Sequence, residues 1–230
     1  MKVLIIPDTH SPFMHANFPK FLRHIRDEYK PDKVVHIGDL VDLHSLSNFL
    51  KDPDGFSCGE EWKHTIEDLQ KLYAAFPVVS WVVGNHDRRP YRKAYDIGMS
   101  PKMIKPLSEI YETPLGWDIS SELIIDDVLY SHGEGAGGIV GWQNFCVKQN
   151  MSAVFGHFHA VGGVRYHQNK LGQQLFSMCV GCGVDETAYS MAYGKHMAAR
   201  PMLGCGVVTD GWKAEFIPMN LKDRGYRRIR

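Results

Sequence analysis

Five short polar motifs stand at the ends of apolar runs in this 230-residue chain: Asp8-Thr9-His10, Gly38-Asp39, Gly84-Asn85-His86-Asp87, His132-Gly133, and Gly156-His157 with His159 two positions on. Together they supply carboxylates, one side-chain amide and several imidazoles. Carboxylate plus imidazole suits borderline divalent ions such as Mn²⁺, Fe²⁺, Zn²⁺ or Co²⁺. No cysteine belongs to the set, which argues against a structural zinc site, where thiolates dominate. A carboxylate has two oxygens, so Asp39 can bridge two ions. Two ions about 3.5–4 Å apart can hold both the attacking and the leaving oxygen of an in-line phosphoryl displacement. A water held by such ions loses much of its pKa and becomes hydroxide near neutral pH.

Distant motifs meet only if rigid elements deliver them. Residues 3–6, 34–37 and 78–83 are apolar and rich in β-branched side chains, and each runs into one of the first three motifs. Between them, residues 17–29 place Phe18, Phe21, Leu22 and Ile25 at helical spacing with Asn17 as N-cap, and residues 60–76 do the same with Trp62, Ile66, Leu69 and Leu72. This β-α-β-α-β order predicts parallel strands with helices on their faces and a ligand site at the carboxyl ends of the strands. Residues 101–111 predict a short helix and 138–150 another. Residues 123–125 and 128–130 predict a hairpin around Asp126-Asp127 that delivers His132, and 153–155 a strand that delivers His157. Residues 163–167, 173–178, 203–209 and 212–218 suggest antiparallel pairs, with Asp210-Gly211 as a two-residue turn.

Composition excludes several classes. The formal net charge is zero, against a surface coated in basic residues, and the 44% hydrophobic content is ordinary for a globular protein. The apolar runs are far too short to span a bilayer. The start, MKVLIIPDTH, reads as a first strand of a cytoplasmic protein rather than a leader, because its apolar run is short and lacks a small-residue cleavage site. No repeat or linker divides the chain, so one domain over residues 1–230 is expected. Of five cysteines, Cys179 and Cys182 form a CxxC; with no second pair and glycines around it, small residues packed in a strand or turn are favoured over a zinc or redox motif.

The ordered motifs resemble the signature of the calcineurin-like metallophosphoesterase superfamily, which reads DxH, GD, GNH[DE], H and GHxH and here covers roughly residues 3–159. One such block alone is weak, whereas five in order, each after a predicted strand, are specific. The resemblance implies an α/β (α+β) fold, a four-layer αββα sandwich of two mixed β-sheets. It implies that Asp8, His10 and His159 hold one metal, that Asn85, His132 and His157 hold a second, and that Asp39 is shared. Mn²⁺ is the expected ion, with Fe, Zn, Co or Ni as alternatives. His86 would not be a ligand; it would stabilise or protonate the leaving oxygen, with Asp87 orienting it. Asp42 is an outer partner of the site or, read by itself, a cap.

Substrate signals are thinner. The third motif reads GNHD rather than GNHE and no Arg-Gly follows Asp42, which points away from the protein serine/threonine phosphatases and toward phosphodiesterase, nucleotidase and repair-nuclease branches. Arg88, Arg89 and Arg92, with Lys93, follow the motif that carries His86 and are candidate phosphate contacts; Tyr91 and Tyr95 could stack on bases. A solvated helix start is the competing reading. Residues 185–200, with Tyr189, Tyr193, Lys195, His196 and Arg200, are a second recognition candidate, a dimer contact or a plain surface loop. The expectation is therefore a Mn²⁺-dependent phosphodiesterase acting on DNA, RNA or nucleotides, without a membrane partner and with a homodimer left open. A phosphomonoesterase for phosphoproteins or small metabolites is the alternative, and a non-catalytic scaffold of the same fold comes third.

Overall fold

In the first strand, β1 (Lys2–Ile6), successive side chains go to opposite faces of a sheet. Val3 and Ile5 enter one apolar core while Leu4 and Ile6 enter another. That alternation sets up the layers of the molecule. The computed structural model describes residues 1–48, 51–136, 140–188 and 200–220.

Leu4 and Ile6 face two helices, α1 (Phe18–Tyr29) and α2 (Cys58–Ala75), where they meet Phe18, Leu22, Leu69 and Leu72. Full burial of each such side chain is worth about 1.5–3 kcal/mol. α2 begins earlier than the apolar spacing predicts because Ser57 and Glu60 form a capping box, with Glu60 N donating to Ser57 Oγ at 3.3 Å and Ser57 N to Glu60 Oε2 at 2.9 Å. Asn17 does occupy the N-cap position of α1, but its side chain makes no capping bond, and Pro19 in the first turn removes one donor that would need one.

β2 (Lys33–His36), β3 (Val79–Val82) and β4 (Trp117–Ser120) lie parallel beside β1, and β10 (Gly204–Thr209) and β11 (Lys213–Pro218) return antiparallel on its other side. The first sheet therefore runs β11-β10-β1-β2-β3-β4. A second runs β5-β6-β7-β9-β8, from β5 (Glu122–Ile125), β6 (Val128–Ser131), β7 (Ser152–Phe155), β8 (Gly162–Gln168) and β9 (Gln174–Val180). Both are mixed. The second core fills the space between them, with Val3, Ile5, Val35 and Ile37 against Tyr130, Val154, Phe176 and Met178. The outer face of the second sheet carries α5 (Gly141–Gln149), whose Trp142 packs with Leu129, Ala153 and Phe155. Helices, sheet, sheet and helix give the four expected layers.

Two expectations change. Residues 101–111 are not one helix: a 3-10 turn at Pro101–Met103 and a single turn, α4 (Leu107–Ile110), flank Pro106, which has no N–H to continue a helix. The helix expected from residue 138 starts at Gly141, and positions 137–139 lie outside the described residues. Both hairpin turns form as expected, with left-handed backbone at Asp126 (φ 50°) and Asp127 (φ 62°) and at Asp210 (φ 51°) and Gly211 (φ 71°). Among the described residues, no helix is long and apolar enough to cross a membrane.

Candidate metal centre

All five motifs converge at the carboxyl ends of their strands, and both sheets contribute. Asp8 and His10 follow β1, Asp39 follows β2, Asn85 follows β3, His132 follows β6, and His157 and His159 follow β7. Ligand-capable atoms of Asp8, His10, Asp39 and His159 lie within 4.8 Å of one another, and so do those of Asp39, His132 and His157. Asn85 Oδ1 approaches His132 Nε2 at 3.1 Å, and Asp39 Oδ2 reaches the same nitrogen at 3.2 Å. Asp39 is common to the two groups.

The atoms that meet here are acceptors. His10 gives its Nδ1–H to Asp42 Oδ2 at 3.0 Å, and His132 gives its Nδ1–H to the Ile37 carbonyl at 3.1 Å. In its neutral form each ring would then turn an Nε2 lone pair inward, that of His10 toward His159 Nε2 (3.1 Å) and that of His132 toward Asp39 and Asn85. Asp8 Oδ1 is buried and accepts no hydrogen bond. Converging lone pairs and an orphaned carboxylate oxygen repel one another unless cations sit between them. The donor set fits two divalent ions with nitrogen and oxygen ligands.

Titration behaviour describes the same field. Burial pushes His132 down, yet Asp39 and Asp8 outweigh it and hold a proton on this ring up to about 10. Burial likewise works to raise Asp8 and Asp39; the imidazoles of His132 and His159 around the first, and of His132 and His86 around the second, keep both carboxyls below their ordinary value. A site that clings to protons in this way is strongly negative, and a metal ion satisfies it better than a proton does.

The loops that hold the ligands are stitched to one another. Thr9 and His10 donate their backbone N–H groups to the Asp39 carbonyl at 3.1 and 3.0 Å, His86 N donates to Asp39 Oδ1 at 2.8 Å, and His157 N to Asp8 Oδ2 at 2.8 Å. His10, Asp39 and His157 sit in the left-handed region, with φ of 48°, 46° and 66°. Such strain in non-glycine residues costs about 1–3 kcal/mol each and persists where neighbours enforce it. Gly84 and Gly156 allow the closest approaches: a Cβ on either would overlap a carboxylate, that of Asp39 and that of Asp8 respectively.

The candidates outside the ligand set fall into different places. His86 stands beside the ligands, its ring 4.5 Å from that of His10, and its Nε2 lies 3.9 Å from Asp39 Oδ2. Burial pulls it down to about 4. Asp87 does not orient it. The Asp87 carboxylate is fully buried and accepts from Gly84 N (2.7 Å) and Val41 N (3.3 Å), bracing the two strand-end loops from below. Burial, with the charge of Asp39 adding, raises it to about 7. The group that orients His86 is the Asp42 carbonyl, which accepts from Nδ1 at 2.9 Å.

Of the three arginines expected to touch substrate, Arg88 pairs with Glu134 and Arg89 is turned inward. Arg89 donates to the carbonyls of Asp42 (2.7 Å) and Leu43 (3.0 Å), so it holds the wall of the site instead of presenting a free guanidinium. Arg92 is exposed at the rim of a cavity beside His86. Tyr91 is tied to the Lys105 carbonyl at 3.0 Å, and Tyr95 is exposed. Cys179 and Cys182 are buried and form no disulfide, and burial raises the Cys179 thiol to about 12. Cys182 instead belongs to the backbone bridge beside Asp8. Asp185 caps its own turn through Thr187 N and Oγ1, while positions 189–199, including Tyr189, Tyr193, Lys195 and His196, lie outside the described residues, as do 221–230.

Two positioning residues escaped the sequence reading. His36 accepts from Gly38 N at Nδ1 (3.4 Å) and so donates from Nε2 to Thr9 Oγ1 (3.1 Å), which donates to the Leu40 carbonyl (3.0 Å). This buried chain ties the first motif loop to the second, and burial keeps the ring neutral, lowering it to about 3. Glu61 is fully buried on α2 and accepts from His44 N (2.6 Å) and Ser45 N (2.8 Å), capping the 3-10 turn His44–Leu46. Its signal was present: Glu61 lies four and eight residues before Thr65 and Leu69, on the buried stripe of the helix.

The family model for calcineurin-like phosphoesterases matches residues 1–161 of the chain. The gene 54 protein of Mycobacterium phage L5 is 28% identical over 206 residues, which cover 78% of each protein. Among solved structures, a metallophosphoesterase from Sphaerobacter thermophilus superposes with a TM-score of 0.48 at 16% identity, covering 96% of this chain and 88% of that one. The phosphoesterase Yfce from E. coli gives 0.44 at 14% identity, covering 91% and 89%.

Proposed function

This chain belongs to the calcineurin-like phosphoesterase family and is a hydrolase, and on that footing we propose that it cleaves phosphodiesters of nucleic acids or nucleotides with two divalent ions, Mn²⁺ foremost. The carrying observation is the position of Asp39 between two groups of nitrogen and oxygen donors, with His86 beside it. Asp8, His10 and His159 would hold one ion and Asn85, His132 and His157 the other, with Asp39 shared. When bound, the ions supply an activated water and Lewis-acid stabilisation of the phosphoryl oxygens.

The chain's own residues do the rest. Asp42 fixes the tautomer and direction of His10, as carboxylates commonly do for metal-binding imidazoles. The Ile37 carbonyl does the same for His132. His86 has its Nδ1–H anchored on the Asp42 carbonyl, which holds Nε2 beside Asp39 and Arg89; once protonated there, the ring could give a proton to the leaving oxygen. A diester is favoured over a monoester because the cation-lined cavity beside His86 extends the site away from the ligands and suits a leaving group that carries a further phosphate.

The test is a substrate panel on protein stripped with chelator and reloaded with Mn²⁺: bis-p-nitrophenyl phosphate, p-nitrophenyl phosphate and single-stranded DNA. The proposal expects diester and DNA cleavage that returns with metal. Monoester turnover alone would sink it in favour of a phosphomonoesterase, and absence of both metal and hydrolysis would favour a scaffold.

A further inference from the structure

The cavity beside His86 has a volume of about 120 Å³ and lies between the end of the 3-10 turn and α3 (Arg89–Asp96). Its inner end is lined by Asn85 and His86, and its outer part by Ser47, Asn48, Arg92 and Lys93. It is thus continuous with the metal centre yet built from residues that bind no metal, Asn85 excepted.

Three features define what it can hold. The first is size. Drug-sized ligands occupy upwards of about 300 Å³, whereas a single water needs only about 10–15 Å³. The space is large enough for one phosphate with its ester oxygens. The second is charge. Arg89, Arg92 and Lys93 line it against one carboxylate, Asp96, and Lys93 lies 3.5 Å from that carboxylate while also contacting Asn48 Oδ1. Arg92 has no ionic partner among the described residues and stands exposed at the opening. The third is rigidity. The turn that forms one wall is fixed from behind by the buried Glu61 carboxylate, and its start is clamped by Arg89 on the Asp42 and Leu43 carbonyls. A wall held by buried charge-assisted bonds is not an incidental surface dent.

We infer that this cavity is a subsite for a second, non-scissile phosphate, the one next along the chain from the phosphate at the metals, with Arg92 and Lys93 as its principal donors and Asn48 as a neutral one. The inference rests on the phosphodiesterase reading and narrows its substrate class to diesters that carry a neighbouring phosphate: oligonucleotides, or dinucleotides phosphorylated at one end. Because a phosphate carries no base identity, binding here is indifferent to sequence.

The experiment compares kcat/KM for dTpdT, which has one phosphate, with pdTpdT and dTpdTp, which each add one. Wild-type protein should favour one of the two phosphorylated dinucleotides by about tenfold, the yield of one good charge-assisted hydrogen bond. Arg92→Ala and Lys93→Ala should each collapse that ratio, cutting the phosphorylated substrate several times more than dTpdT. The salt dependence should change in step: added salt should lower kcat/KM for the phosphorylated dinucleotide less in the alanine variants than in wild type. Arg92→Lys, which keeps the charge, should retain part of the preference and guards against a folding artefact. Cleavage of all three substrates without preference, or a preference that survives both alanine variants, overturns the subsite alone. Failure to cleave any of the three overturns it together with the reading beneath it.

Discussion

Arg89 Nη2 donates to His86 Nε2 across 3.2 Å, while Nδ1 of the same ring donates to the Asp42 carbonyl at 2.9 Å. Both ring nitrogens are engaged, so the resting imidazole is neutral. Burial is the main force that holds His86 down at about 4, with the charge of His10 and, less, of the Arg89 guanidinium adding to it, against the pull of Asp39 and Asp42. If His86 gives a proton to the leaving oxygen, the active ring is protonated and activity is lost as pH rises through its pKa. Removing the Arg89 charge raises that pKa. Arg89→Ala should therefore move the descending limb of the kcat/KM profile to higher pH. A limb that stays in place, measured at constant metal loading, would mean that Arg89 braces the wall without tuning His86.

Asp39 and His86 should separate cleanly. Asp39→Asn removes the one charge shared by both donor groups, so bound metal should fall at both sites and hydrolysis with it. His86→Ala should keep metal content near wild type while turnover drops about 10²–10⁴-fold, the range for a positioned acid or base. Elemental analysis beside a diester assay reads both. Metal loss in His86→Ala would make the ring a ligand instead of an acid.

Glycine variants test the tight approaches to the carboxylates. An added methyl at Gly84 meets Asp39, and one at Gly156 meets both Asp8 and the Ile37 side chain. Gly84→Ala and Gly156→Ala should each cost about 1–3 kcal/mol in urea unfolding and weaken metal binding. Gly59, inside α2, has nothing within 4 Å of such a methyl. Gly59→Ala should leave metal binding alone and stabilise by up to about 1 kcal/mol.

Glu61 predicts a cost far from any ligand. Glu61→Ala strands two buried N–H groups, those of His44 and Ser45, and should destabilise by about 3 kcal/mol. Glu61→Gln keeps an acceptor and should cost less. Chemical denaturation gives the stability, and the ratio of activities on dTpdT and its phosphorylated forms shows whether the cavity wall has moved. An Ala variant as stable as wild type would mean that the two N–H groups find other acceptors and that the wall does not depend on Glu61.

Much of the architecture could be read from the chain because strands and ligands carry independent signals in the same place: a β-branched run, then a polar residue that ends it. That is why Asp8, Asp39, Asn85, His132 and His157 emerge together. The return of β10 and β11 to the side of β1 has no local signature, since Val3 meets Val208 across some two hundred positions. Adjacency in sequence misled at Asp87. In the tight turn after β3, consecutive side chains diverge, so His86 faces Asp42 while Asp87 drops beneath the loop onto Gly84 N and Val41 N. Arg89 misled for a related reason: a cation near a phosphate site is easily assigned to substrate, but the carbonyls of Asp42 and Leu43 claim it.

The proposed ligands are divided between the sheets, four side chains following the strands of one and three those of the other. Neither set can coordinate fully until the sheets have docked over their shared core. On the proposed assignment, metal capture would then be a late event in folding. A metal-loaded molecule should accordingly unfold more slowly than an empty one, because ions held from both sheets oppose their separation.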